Sequence, residues 1–189
     1  TDVMSGGSAD QRGLSTSGPM GRNTEDTIQF LRTIAVKDFG TDFSPLDISS
    51  TKIGWLGSLN DYFPLEPGIL DLCQNGLEKI SQEGATVEEL LPSFNPNDLW
   101  FSWTTLRHLG RASMKRFFDD PVLREKLKPD LVWEIEESQR LTEGDRATAN
   151  AMRGEWYREL DRLFEEYDFL AIPSAQVFPY PKQVKWPSE

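Results

Sequence analysis

Residues 52–91 limit most strongly what this chain can fold into. Lys52-Ile53-Gly54-Trp55-Leu56 is short and apolar between turn residues, the pattern of a buried strand. Pro64 and Pro67 flank the start of a helix, with Pro67 standing where proline is tolerated. Ile69, Cys73, Leu77 and Ile80 fall on one face of that helix, and Gly84 stops it. Ala85 to Leu91 then reads as a second strand. Strand, helix and strand in this order are the usual grammar of a parallel sheet. Cys73, on the apolar face, reads as a packed small side chain and not as a nucleophile.

The flanking regions are richer in helix. Residues 1–18 are Gly- and Ser-rich and read as a loop. Asn23 or Thr24 can cap a helix over 24–35. Glu25 and Asp26 fall in its first turn, and Ile28, Leu31 and Ile34 recur at helical spacing. Lys37 to Ser50 is a polar surface connection. After a Pro/Asn break at residue 92, Leu99, Trp100, Trp103, Leu106 and Leu109 are spaced for a helix, and Met114, Phe117 and Phe118 extend the apolar content. Residues 130–141 look helical. A long helix follows from about Arg146 to Tyr167, with Met152, Trp156, Leu160, Leu163 and Phe164 at 3–4 spacing. Asp168 to Pro173 reads as a buried strand ended by proline, and the Pro-rich tail as a loop. Four or more helices and about three strands make a helix-rich α/β chain.

Composition removes several function classes. A net charge of −11 argues against a nucleic-acid backbone or an anionic membrane as partner, since both select clustered Lys and Arg. Cys73 is the only cysteine, so no internal disulfide can form, which fits a reducing, cytoplasmic location. No apolar run approaches the roughly 20 residues of a membrane span. His108 is the only histidine and has no second ligand at metal-binding spacing, so no metal or other cofactor is expected. It reads as an ordinary histidine, with a general-base role the alternative. The chain also holds no CxxC, HExxH, GxGxxG or phosphate-cradling glycine loop.

Four stretches, in order, carry a family resemblance. Ser17-Gly18-Pro19-Met20-Gly21-Arg22-Asn23-Thr24-Glu25-Asp26 resembles the Gly-Pro-Met-Ala-Arg-x-Val-Glu-Asp segment of amidase signature enzymes. Lys52-Ile53-Gly54-Trp55 and Gly84-Ala85-Thr86-Val87-Glu88-Glu89 resemble that family's next two strands. Glu165-Glu166-Tyr167-Asp168-Phe169-Leu170-Ala171-Ile172-Pro173-Ser174 is similar to the family's Tyr-Asp-x-Leu-Leu-x-Pro-Thr segment. The long helix before it, with Arg153 and Trp156, also matches. The resemblance implies an amidase signature fold with a partial mixed β-sheet covered by helices. It implies hydrolysis of a carboxylic amide to acid and amine or ammonia, or ammonia release in the amidotransferase branch. The family's chemistry is a Ser–cis-Ser–Lys triad, in which a lysine of lowered pKa draws a proton through one serine from another. Backbone N–H groups hold the oxyanion.

The resemblance places no catalytic residue in this chain. The family's lysine and its Ser-Ser-Gly-Gly serine precede the Gly-Pro-Met segment. Gly6-Gly7-Ser8 matches the nucleophile's tripeptide, but Ala9-Asp10-Gln11-Arg12 follow it in place of the family's next strand, so Ser8 reads as a loop serine. Residues 1–189 are therefore expected to be one segment of an amidase domain, cut at both ends and inactive alone. The segment from Pro173 to Phe178 corresponds to one that shapes the family's substrate pocket. Ser174, Ala175, Gln176 and Phe178 are carried over as substrate-binding residues, with backbone satisfaction at the strand end an equal reading of Ser174. Trp100 and Trp103 are weaker candidates, for which core packing is the favoured alternative. The expected partners are a small-molecule amide substrate and the remainder of the amidase chain, with room for a homodimer and without nucleic acid or membrane. The competing class is a non-catalytic scaffold or interaction domain derived from an amidase.

Overall fold

A computed structural model describes residues 18–35, 40 and 46–184. Gly6-Gly7-Ser8, most of the 37–45 connection and the end of the tail lie outside the described residues. Contacts divide the chain into two compact units. One holds the described residues within 1–44 together with Asp98–Arg153; the other holds 46–97 and the described residues from Gly154 onward.

The second unit carries the sheet. Strands β1 (Lys52–Trp55), β2 (Thr86–Glu89) and β3 (Phe169–Ala171) lie in the order β2-β1-β3, with β1 central. Ile53 is registered with Val87 on one side and Phe169 on the other, and both pairings are parallel. The fold class is helix-rich α/β as expected, but the sheet is parallel among the described residues where a mixed one was anticipated. The crossover from β1 to β2 runs through helix α2 (Ile69–Gln82) and returns the chain to the same end of the sheet, so the two strands must point the same way. Gly68, at φ +96°, precedes α2, and Gly84, at φ +109°, follows it, so each helix end rests on a conformation that a Cβ disfavours. Ile69 is buried and Cys73, Leu77 and Ile80 are half-buried, which is the face the sequence pattern selects.

Alternation sorts the sheet faces. Lys52, Gly54, Glu88 and Leu170 share one face, Ile53, Trp55, Val87 and Phe169 the other. Tyr167 and Leu90 press on Gly54. At the strand starts, Lys52 Nζ lies 2.9 Å from Glu166 and 3.1 Å from Glu88, and the Tyr167 hydroxyl donates to Glu88 at 2.9 Å. The Lys52 N–H donates to Asp168 Oδ2 at 2.8 Å. These contacts tie β2, β1 and the entry to β3 together at the end away from the cavities described below.

Helix α7 (Glu143–Phe164) is the longest element and contributes residues to both units. Leu163 is buried as its spacing predicts, whereas Phe164 is exposed. In the second unit, Glu159 receives the N–H of Ser93 at 2.8 Å, the Ser93 hydroxyl at 3.0 Å, and a two-point contact from Arg162 at 3.0 Å. The Arg162 hydrogen bonds, assisted by Ser93, outweigh burial and hold the Glu159 pKa down to about 2, from an ordinary 4.5. A carboxyl depressed in the folded state contributes stability above its unfolded pKa and loses it as pH falls. Stability is therefore expected to fall between pH 4.5 and 2 by on the order of 1–2 kcal/mol from this group, after discounting for the solvent that reaches Arg162. Urea midpoints at pH 6, 4 and 2.5 check this: Glu159→Gln must flatten the acid limb, and an unchanged limb rules the clamp out.

The first unit is helical. Helix α1 (Thr24–Ile34) is capped by Asn23, whose side-chain oxygen accepts the Asp26 N–H at 2.7 Å. Helix α3 (Pro96–Leu109), all but its first two residues in this unit, buries Ser102, Thr105, Leu106 and Leu109. The 112–128 stretch, read only as apolar, forms a 3-10 turn and two short helices, α4 (Lys115–Asp119) and α5 (Pro121–Arg124); Asp120 caps α5 just before Pro121. Helix α6 (Pro129–Ser138) buries Glu134, Ile135 and Ser138. The Glu134 carboxylate is bridged by Arg107 Nε at 2.6 Å and Arg111 Nε at 2.7 Å. Burial alone would raise its pKa; the two arginines reverse this and hold it below the usual carboxylate range.

Candidate functional site

The second unit has two cavities at the carboxyl ends of its strands. The chain leaves β1 for β2 on one side, while β3 lies on the other, so the strand order reverses between β1 and β3. Crevices at such reversals, outside the carboxyl ends of parallel strands, are where α/β sheets bind ligands. A cavity of ≈ 260 Å³ sits there. Gly57 contributes from the segment after β1, Phe63 and Leu65 from the run before α2, and Ile172 to Gln176 from the segment after β3. Its wall is largely apolar, with Ser174 and Gln176 the polar members. Gln176 staples the two sides together: its Nε2 donates to Pro64 O at 2.9 Å, and its own carbonyl accepts the Glu66 N–H at 2.8 Å.

Three of the residues expected at a substrate site, Ser174, Ala175 and Gln176, thus share one cavity. Phe178 stands just outside it. Its N–H donates to Glu66 Oε2 at 2.8 Å and its ring packs near Gly68. Trp100 and Trp103 belong to the first unit. They stack on each other with ring centroids 5.4 Å apart, and Arg107 lies over Trp103. They are 57% and 37% exposed among the described residues. His108 meets Trp133 edge-on at 5.0 Å, and burial pushes its pKa down. Phe63 and Leu65 were not read as site residues; the signal available was their place just after a strand that precedes a crossover. Among the described residues no group of His, Cys, Asp and Glu could hold a metal ion, and no helix is long and apolar enough to cross a membrane.

The segment after β1 is built around unusual backbone. Leu59, Asn60 and Asp61 all have left-handed φ, 53°, 57° and 59°, and Gly57 has φ 54°. Gly57 adopts this region freely, but each of the other three costs on the order of 1 kcal/mol or more unless its surroundings hold it. Leu59 is buried, and the Leu59 N–H to Leu56 O and Phe63 N–H to Ser58 O hydrogen bonds close the turn. Burial of one side chain thereby fixes a turn that the rims of both cavities share.

Comparison with known proteins gives the family and the fold. A model of the family described as Amidase matches residues 4–186. The chain belongs to the Amidase family. An acylamidase of Rhodococcus erythropolis is 25% identical over 143 residues, which are 75% of this chain and 29% of that protein. The solved structure of a bacterial aryl acylamidase of the amidase signature enzymes aligns with a TM-score of 0.58 at 18% identity, covering 72% of this chain and 31% of that one. That of a fatty acid amide hydrolase aligns with a TM-score of 0.60 at 14% identity, covering 90% of this chain and 33% of that one. These likenesses show the fold. The chain spans about a third or less of the length of each of these relatives.

Proposed function

We propose that this chain is part of an amidase that hydrolyses a carboxylic amide to an acid and an amine or ammonia. In this reading the Ser–cis-Ser–Lys triad lies outside the chain, which supplies scaffold and one wall of the substrate pocket. The observation that carries the reading is the apolar cavity at the β1/β3 reversal, where Ser174, Ala175 and Gln176 converge. An apolar wall with few polar groups suits the acyl or aryl part of an amide, in keeping with the names of the relatives.

Acetanilide titrated into the 15N-labelled chain is expected to shift the amide resonances of Ser174 to Gln176 in a saturable way. Ala175→Trp, which places an indole in the cavity, is expected to weaken this at least about tenfold. A fluorophosphonate probe is expected to leave the chain unlabelled. Absence of a saturable shift, or a shift indifferent to Ala175→Trp, removes the pocket-wall role; labelling lost on Ser8→Ala places a nucleophile inside the chain.

A further inference from the structure

The second cavity, ≈ 500 Å³, opens over the ends of β1 and β2. It shares only Gly57 with the first. Its chemistry is different. Leu70 and Gln74, one turn apart on α2, form one wall; Glu89 and Leu90 at the end of β2 form another; Asp61, at the end of the left-handed turn, forms a third. No lysine or arginine lines it, so its two carboxylates give it a negative potential that nothing in the wall offsets. Asp61 uses Oδ1 to accept from the Ser58 hydroxyl at 3.0 Å, which leaves Oδ2 for a ligand. Glu89 makes no ion pair among the described residues.

An independent observation points into the same space. Trp55 lines this cavity and is only 6% exposed, yet its indole N–H has no acceptor among the described residues. Nε1 is the Trp55 atom nearest the Cβ position of Gly57, a residue of the same wall. It is not among the enclosed polar atoms left without a partner, so it still reaches open space. Water that reaches it there can be replaced by a ligand atom that accepts the same hydrogen bond. A ligand that suits the cavity therefore brings a positive charge for Asp61 and Glu89, an acceptor for the Trp55 N–H, and a carbon body for Leu70 and Leu90.

We propose that this cavity is a binding site for a small organic cation that also carries a hydrogen-bond acceptor, of the amino-alcohol class. The proposal does not rest on the catalytic reading above, because it uses a different cavity and requires no triad.

The test is titration of the 15N-labelled chain with 2-amino-3-phenylpropan-1-ol at pH 7, following the tryptophan indole N–H resonances. There are six tryptophans, and Trp55→Phe identifies the Trp55 signal. That signal is expected to move saturably. The neutral analogue 3-phenylpropan-1-ol, of nearly the same shape without the charge, is expected to bind about tenfold more weakly. The double variant Asp61→Asn, Glu89→Gln preserves shape, and is expected to lose a similar factor. Ala175→Trp, in the other cavity, is expected to leave binding of the amine unchanged. If the Trp55 signal does not move at millimolar amine, if the neutral alcohol binds equally well, or if the double variant binds as the parent does, the proposal is overturned. Should Trp55→Phe fail to fold, the analogue comparison and the double variant decide the question on their own.

Discussion

Replacing Leu106 by alanine is expected to destabilise the chain by about 3 kcal/mol, within the roughly 2–5 kcal/mol that large-to-small changes cost in tight cores. Leu106 and Ile135 are both fully inaccessible in the first unit, and neighbouring Ser102 spends its hydroxyl on Ala149 O at 2.8 Å. A side chain removed from such a place leaves a void that flanking helices refill only partly. Val122, largely exposed on α5, is the contrast: Val122→Ala is expected to shift stability by no more than about 0.5 kcal/mol. Urea unfolding followed by far-ultraviolet circular dichroism checks both. Equal midpoint shifts for the two variants would show that the buried set of α3 is not the core of its unit.

Gly54→Val is the second large effect, expected at about 2–3 kcal/mol. The cause is crowding, not the loss of contacts. A Cβ at Gly54 would stand 2.1 Å from Leu90 Cδ2, 3.0 Å from Leu170 Cδ2 and 3.2 Å from Tyr167 Cδ1. Leu90 can swing away, but the Tyr167 ring is buried and its hydroxyl is fixed to Glu88. A valine also gains strand propensity over glycine, worth up to about 1 kcal/mol, which the net figure includes. Gly54→Ala is expected to lie between parent and valine variant. A valine variant as stable as the parent in urea would show that β1 is not packed as tightly as these distances require.

The two substitutions also separate what the sequence reveals from what it hides. The β1–α2–β2 unit was legible because its evidence is local: apolar runs bounded by prolines and glycines, with the helix face written at 3–4 spacing. The α3 tryptophans were not. Trp100, Trp103 and Arg107 form one stripe of that helix, and Ser102, Leu106 and Leu109 another. Apolar residues fall on both stripes, so spacing alone cannot say which is buried. The buried stripe includes a serine and a threonine, which composition would have placed outside. Direction in the sheet was hidden for a different reason, since nothing in the long stretch between β2 and β3 fixes how β3 enters.

The same distinction holds at the cavities. Ser174 to Gln176 are expected at a site through resemblance alone, and the structure gives their neighbourhood. Phe63 and Leu65 reach them because Gln176 bonds to Pro64, 112 residues earlier, a closure that no window of sequence contains. Trp55 was correctly read as a buried strand residue. That its N–H would lack a partner depends on the left-handed turn beyond it, and three consecutive positive φ values at Leu, Asn and Asp have no reliable sequence signal.

The strand order also has a kinetic consequence. Val87, the β2 partner of Ile53, follows it by 34 residues, whereas Phe169, its β3 partner, follows by 116. Closing the longer loop costs about 1 kcal/mol more in chain entropy, before any β3 contact can form to offset it. The β1–α2–β2 crossover unit can therefore assemble early, while β3 must await the rest of the chain. Until it arrives, the β1 edge stands open as a template for any other extended segment. During synthesis that interval lasts at least as long as the ribosome takes to make the intervening residues, roughly 5–20 residues per second.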